Sequence, residues 1–334
     1  MTKATAISPA NIAFIKFWGK RDPKLNLPYN NSISMNLSNC LTTSTVEFLP
    51  ELTKDEVVIN GQKVDDKALA RTVAFLDVVR EWFGMKTKAK VYSQNNFPSD
   101  AGIASSASAF SALALAGSRA AGLKLSAKKL SILARMGSGS ACRSVVDGFG
   151  EWQKGTVSEN SYAKQVAPVS HWDLVDIVAV VSAEKKKTGS TEGHNEAETS
   201  PYFRQRLVNL PKRISSLKKA FLKKDFDEFG KLLEEEAIDL HVMAMTSKPP
   251  IYYLNSGTFS VMAKLKELRE KGTGGYFTMD AGPNVHAICQ GKDALKINRE
   301  LKKLPSVKFT IVNKPCKGTR LISQTRQVAR KGFS

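Results

Sequence analysis

The first third of the chain alternates apolar and polar residues with a period of two. That pattern predicts strands at 32–37 and at 42–49, the second rich in Thr and Val. Residues 56–59 and 62–64 flank Asn60-Gly61, the dipeptide of a two-residue hairpin turn. From 68 to 82 the period changes, with Leu69, Val73, Leu76 and Val79 at helical spacing. A further strand is predicted at 89–95. A loop of small residues at 98–108 then runs into an apolar helix at 109–121, and a second helix at 126–136 stops at Gly137. The stretch GSGSACRSVVDGFGEW reads as a small-residue turn opening another helix. Residues 174–182 are mostly apolar, interrupted at Asp176, and predict one buried strand. Helices follow at 201–222, 226–245 and 258–271, with strands at 276–279, 285–289 and 307–312. Strands and helices alternate without a regular βαβ rhythm, which indicates an α+β fold. Composition turns from apolar to charged near 183–196, so two domains are expected, 1–184 and 185–334. The basic tail 324–334 is expected to be mobile.

Bulk properties narrow the class. Hydrophobic residues make up 42% of 334, enough for a packed core. Lys plus Arg is 50 and Asp plus Glu is 31, so the net charge is 50 − 31 = +19. This excess favours anionic partners without choosing among phosphates, nucleic acid and membrane surfaces. No segment has the length and apolarity of a membrane span, and the N-terminus lacks the apolar run of a signal peptide. Four cysteines without a CxxC pair argue against a disulfide framework or a zinc ribbon, and a cytoplasmic location is expected. The four histidines are scattered and suggest no metal site. Aromatic residues do not interleave with basic ones as in RNA-binding strands, which weighs against a nucleic-acid partner.

Five segments carry candidate chemistry. PSDAGIASSAS (98–108) places small residues before a helix start, where free N–H groups and the helix dipole attract an anion. It lacks the GK[ST] ending of a Walker A loop, and a tight packing joint explains it equally well. GSGSACRS (137–144) repeats the theme with Arg143, whose guanidinium grips a carboxylate or phosphate unless it forms a surface ion pair. Two such loops suggest two anionic groups held near each other. Lys16 and Lys20, four apart, share a face on a helix or a strand and suit a diphosphate, or form a solvated basic face. Asp280 closes an apolar strand before Ala-Gly-Pro, either as a turn former or as a carboxylate that burial tunes into a general base. EKKKTGST (184–191) reads as a phosphate contact or a charged linker.

Together these segments resemble a known family. NIAFIKFWGKRDPKLNLPYNNSISMNLS resembles the N-terminal signature of the diphosphomevalonate decarboxylases, and PSDAGIASSASAFSALALA their variant of the GHMP kinase phosphate loop. GSGSACRSVVDGFGEW, VSAEKKKTGSTEGH, ETSPYF, KPPIYYLNSGT and YFTMDAGPNVHAI match further blocks in family order, from about residue 8 to 312. The resemblance implies a two-domain α+β GHMP kinase fold: an N-terminal half like the second domain of ribosomal protein S5 and a ferredoxin-like C-terminal half. It implies an ATP- and Mg²⁺-dependent decarboxylation of mevalonate 5-diphosphate to isopentenyl diphosphate through transient 3-phosphorylation, by a homodimer. Related activities, phosphomevalonate decarboxylation or 3-phosphorylation of mevalonate, stay open. By position, Asp280, Lys16 and Arg143 resemble the catalytic set. Asn11, Lys20, Ser138, Gly139, Ser140, Ser190 and Thr191 resemble substrate contacts. Pro98, Ala101, Gly102, Ala104, Ser105, Ser106 and Ala107 resemble the ATP loop, with Ser105 the expected Mg²⁺ contact. Phe17 departs from the pattern. Many relatives carry a Tyr there whose hydroxyl reaches a substrate phosphate, and its loss leaves the choice between diphosphate and monophosphate open.

Overall fold

The computed structural model describes residues 3–98, 103, 105–184 and 188–322. Ala101, Gly102 and Ala104 of the expected ATP loop, and the basic tail, lie outside the described residues. The chain begins with β1 (Lys3–Ile15), a small hairpin of β2 (Lys20–Asp22) and β3 (Leu27–Pro28), and the long β4 (Ser32–Leu49). Then come β5 (Glu56–Ile59), β6 (Gln62–Lys63), α1 (Asp66–Phe83), β7 (Lys88–Asn95), α2 (Ser105–Ala120) and α3 (Ala127–Gly137). A 3-10 helix (Gly139–Val145) leads to β8 (Phe149–Trp152), β9 (Ala163–Ala167) and β10 (Leu174–Val180). The second half carries α4 (Ser190–Glu196), α5 (Phe203–Lys223), α6 (Phe226–Met245), α7 (Ser256–Glu270), β11 (Gly275–Thr278), β12 (Val285–Gln290), α8 (Gly291–Lys302), β13 (Phe309–Asn313) and β14 (Arg320–Leu321).

The fold is α+β, as the element pattern indicates. The larger sheet runs β14-β1-β4-β7-β5-β6, with β8 and β9 beside the first part of β4. The two strands expected at 32–37 and 42–49 are one strand: its first residues pair with β8 and its last with β7. The Asn60-Gly61 turn takes the two positive φ values that its hairpin needs. The smaller sheet is antiparallel, β11-β12-β10-β13. The helix expected after Gly137 is only the short 3-10 turn, because Phe149–Trp152 is drawn into pairing with β4 and β9.

β10 shows why its sequence is apolar at six of seven positions, all but Asp176. Val175, Ile177 and Ala179 face a core shared with α7 and α8, while Leu174, Val178 and Val180 face the core that contains α5 and α6. That second core also takes Phe14, Met35 and Phe149 from the larger sheet, so one apolar body joins both sheets. Helices α1–α3 cover the other face of the larger sheet. β10, although it precedes residue 184, is held between β12 and β13 of the smaller sheet. β14 then returns to the edge of the first sheet beside β1.

Candidate active site

The site forms where β1 ends. Lys16 follows Ile15, and Gly19 turns the chain at φ +84°, a conformation that favours glycine; a Cβ there would also lie 2.8 Å from the Phe203 ring. Lys16 and Lys20 therefore do not share the face of one regular element, because β1 has ended before the first and β2 begins at the second. The Lys16 backbone is fixed from both sides. Its N–H donates to Glu236 Oε1 at 2.8 Å, and its carbonyl accepts from Asn30 Nδ2 at 3.0 Å. Glu236, fully buried on α6, is held in turn by Arg206 and Arg213 of α5.

Asp280 lies two residues beyond β11 and meets Lys16: Nζ donates to Oδ1 at 2.8 Å and also to the Ala13 carbonyl at 2.7 Å. The Lys16 side chain is 1% exposed, the Asp280 side chain 23%, so the pair is reachable from solvent through the carboxylate. Burial opposes ionisation of Asp280, but Lys16, with His286 and Arg143 behind it, outweighs burial and holds the carboxyl below its usual range. Burial also lowers the Lys16 pKa, and Asp280 only partly restores it. The expected tuning of Asp280 toward a stronger base is thus reversed: the carboxylate is a weak base held in its charged form.

Arg143 sits in the 3-10 turn, 2% exposed. Its Nε and Nη2 donate to Asn11 Oδ1 at 3.3 and 3.1 Å, and Nη1 donates to Ser32 Oγ at 2.6 Å. A guanidinium has five N–H groups. Three are used here, leaving two without a partner among the described residues. The Asn11 amide donates to the Ser140 carbonyl at 3.2 Å and to Ser144 Oγ at 2.8 Å. Both ends of Asn11 are therefore engaged inside the protein, where it fixes Arg143 and its turn rather than pointing a free amide outward.

The two small-residue loops do meet. Ser106 Oγ, in the first turn of α2, lies 3.2 Å from Ser138 Oγ, which lies 3.5 Å from Ser140 Oγ. Gly139 is obligatory between them, since a Cβ would approach Phe17 to 2.6 Å and Trp152 to 2.9 Å. Ser105 opens α2 and is half-buried, Ala107 is buried behind it, and Pro98 is half-buried after β7. Among the described residues no group of three His, Cys, Asp or Glu side chains converges as a metal cage. Lys20 is half-buried, and burial followed by Arg71 lowers its pKa. Ser190 and Thr191 start α4, and no hydrogen bond between described residues joins them to Lys16, Arg143 or Asp280. A surface depression of about 470 Å³ beside α6, lined by Arg213, Lys231, Glu234, Glu235, Ile238, Asp239 and Phe277, contains none of the site residues expected from the sequence.

Sequence patterns did not single out two histidines that belong here. His241 of α6 is buried, and burial followed by the Lys16 charge pushes its pKa down to about 3. His194 of α4 lies against Phe17 and Trp18 and accepts the Gly19 N–H at Nδ1, 3.0 Å away. Neither has a spacing that marks it, because its role is set by contacts across the fold.

Residues 8–163 match the diphosphomevalonate decarboxylase-like N-terminal domain, and residues 176–330 the mevalonate 5-diphosphate decarboxylase C-terminal domain. The diphosphomevalonate decarboxylase of Candida albicans is 37% identical over 303 residues, 85% of this chain and 83% of that protein. The crystal structure of mevalonate diphosphate decarboxylase from Staphylococcus aureus superposes with a TM-score of 0.92 at 38% identity, covering 96% of this chain and 98% of the other. A structure of MDDEF in complex with MVAPP, AMPPCP and magnesium gives 0.92 at 36% identity, covering 97% and 99%.

Proposed function

This chain belongs to the diphosphomevalonate decarboxylase family, and we propose on that premise that it converts mevalonate 5-diphosphate and ATP to isopentenyl diphosphate, ADP, phosphate and CO₂. The observation that carries the reading is the Lys16–Asp280 pair, formed by residues 264 apart and backed by the buried Arg143. The complexes of the similar MDDEF contain MVAPP, an ATP analogue and magnesium, which supports the same ligands here.

The chemistry requires a tertiary hydroxyl to attack the γ-phosphorus of ATP while the bond to ADP breaks. Positioning and charge neutralisation carry most of such a transfer, and little base strength is needed. Asp280, ionised and fixed by Lys16, accepts a hydrogen bond from the hydroxyl, aligns its oxygen and, once the O–P bond forms, relays the released proton to the transferred phosphate. The 3-phosphate then leaves with the C–O electron pair, and the positive character on carbon faces the same carboxylate. The electrons of the bond to the carboxyl carbon become the new C=C bond as CO₂ departs. Arg143, with its unused N–H groups, holds the substrate carboxylate or the transferred phosphate. Ser105 and Ser106 would offer hydroxyl oxygens to a Mg²⁺ ion, which would supply charge neutralisation at the ATP phosphates. Lys20, Ser138 and Ser140 receive the 5-diphosphate.

Incubation with ATP, Mg²⁺ and each of mevalonate, its 5-phosphate and its 5-diphosphate, scored separately for ADP and CO₂, tests this. Stoichiometric ADP and CO₂ from the diphosphate alone is the expected result. ADP without CO₂ from every substrate would reduce the protein to a 3-kinase, and CO₂ from the monophosphate would move the substrate assignment.

A further inference from the structure

His194 is an unusual histidine. Phe17 lies 4.1 Å from its ring centroid with 33° between the planes, and Trp18 lies 4.9 Å away at 38°. One nitrogen, Nδ1, accepts the Gly19 N–H. A neutral imidazole with Nδ1 as acceptor carries its proton on Nε2. Neutrality is enforced: burial first, then the Lys20 and Arg143 charges, push the pKa down to about 3. Nε2 has no hydrogen-bond partner among the described residues. The groups it neighbours are Lys20 and, through Phe17, the Gly139 turn between Ser138 and Ser140. Two cations beside a fixed neutral donor form a surface complementary to a polyanion, not to another cation.

We propose that His194 is a binding and specificity-determining residue, donating from Nε2–H to the phosphate-bearing end of the substrate beside Lys20. The inference rests on the reading of the site given above. Phe17 contributes a ring face and no hydroxyl, so the donor at this point of the wall comes from the imidazole that Phe17 orients. A neutral donor discriminates by direction, whereas Lys20 attracts any nearby anion.

Two variants and one spectroscopic measurement test it. His194→Phe keeps a ring between Phe17 and Trp18 and removes the donor; His194→Gln keeps a side-chain N–H. The phenylalanine variant should raise KM for mevalonate 5-diphosphate about tenfold or more, as expected for losing a hydrogen bond to a charged group. Its kcat and its KM for ATP should stay within about twofold, and the glutamine variant should recover most of the loss. An unchanged KM in His194→Phe, an equal rise for ATP, or a glutamine variant as poor as the phenylalanine one would overturn the assignment while leaving the decarboxylase reading intact. Wild-type enzyme with ¹⁵N-histidine, titrated with inorganic pyrophosphate, gives a reading independent of folding of the variants. One histidine should show a protonated Nε2 that shifts on binding and is missing in His194→Gln; spectra with no pyrophosphate-sensitive Nε2 would count against it.

Discussion

At the scale of single residues, Lys16 and Asp280 illustrate how one contact sets two properties. An ammonium with 1% exposure is stable only beside a counter-charge, and an ionised carboxylate beside it is a poor proton acceptor. Asp280→Asn keeps shape and removes charge. Its kcat should fall about 10³-fold, the order seen when one charge-stabilising group is removed from a transition state, with KM for ATP within about twofold. Retention of a tenth of the wild-type kcat would take Asp280 out of the chemistry. The pH profile follows from the same pair. Asp280 is held below the ordinary carboxylate range, so it imposes no loss of activity as pH falls from 7 toward 5. Lys16 is lowered, so its proton and the activity that needs it are lost as pH rises, earlier than for an ordinary lysine. Asp280→Asn removes the partner that raises the Lys16 pKa, so the residual activity should decline at a lower pH still, measurable in kcat between pH 6 and 10. Asp280 stood out in the sequence through the family resemblance, because a strand-end Asp before Ala-Gly-Pro reads equally as a turn former. His194 did not, since its signature is two ring faces and a backbone N–H brought from 175 residues away.

At the scale of elements, the site depends on α5 and α6 gripping the end of β1. Glu236 of α6 receives the Lys16 N–H and is surrounded by Arg206 and Arg213. Burial opposes its charge, but Arg206, the Lys16 N–H and Arg213 together hold its pKa below the usual value. Replacing it with Gln leaves the buried Arg206 with Asp239 at 3.5 Å and Arg213 with Asp239 and Glu235. That should cost about 3 kcal/mol, the lower range for breaking a buried ion pair from one side. The sign of the pH effect is fixed by the depressed pKa. The stabilisation is fully present above the ordinary Glu value of about 4.3 and is lost as pH falls through the folded-state value. Urea unfolding of wild type and Glu236→Gln should therefore differ most at pH 7 and converge in acid; curves that coincide at pH 7 would refute the clamp. Such elements are unequally readable. Residues 226–245 read as a helix because their apolar positions recur at helical spacing. Residues 184–191, which run into helix α4, read as a phosphate contact or a linker: the seven residues of α4, six polar and one glycine, nucleate no helix alone. It is held instead by Lys67 reaching Glu192 at 3.0 Å and by Trp18 packed against Gly193. The 3-10 turn and β8 were likewise hidden, because strand pairing with β4 decides them and local propensity does not.

At the scale of the whole molecule, the two halves are not separable at the compositional break. β10 precedes residue 184 but is the strand around which the smaller sheet is built, paired on one side with β12 and on the other with β13. Six of its seven side chains are apolar and fully buried, worth on the order of 10 kcal/mol at about 1.5–3 kcal/mol for each large side chain. That is comparable with the whole stability of a typical domain. A fragment ending at 184 keeps this strand without either neighbour and leaves a β-prone apolar edge exposed. It also loses β14 from the edge of its own sheet and the α5–α6 residues, such as Phe221 and Phe229, that complete its inner core. Co-expression of the pieces 1–184 and 185–334 should accordingly yield aggregated protein. The pieces 1–170 and 171–334, which leave β10 with its partners, should associate and recover decarboxylase activity to a greater degree. Equal soluble yield and activity from the two splits would mean that β10 is not what binds the smaller sheet together. A better yield from the cut at 184 would place the strand's allegiance with the first half, against the pairing seen here. The outcome bears directly on catalysis, because Asp280 leaves the smaller sheet only two residues after β11, while Lys16 leaves the larger sheet at the end of β1. Their 2.8 Å contact exists only while the shared core fixes one sheet against the other.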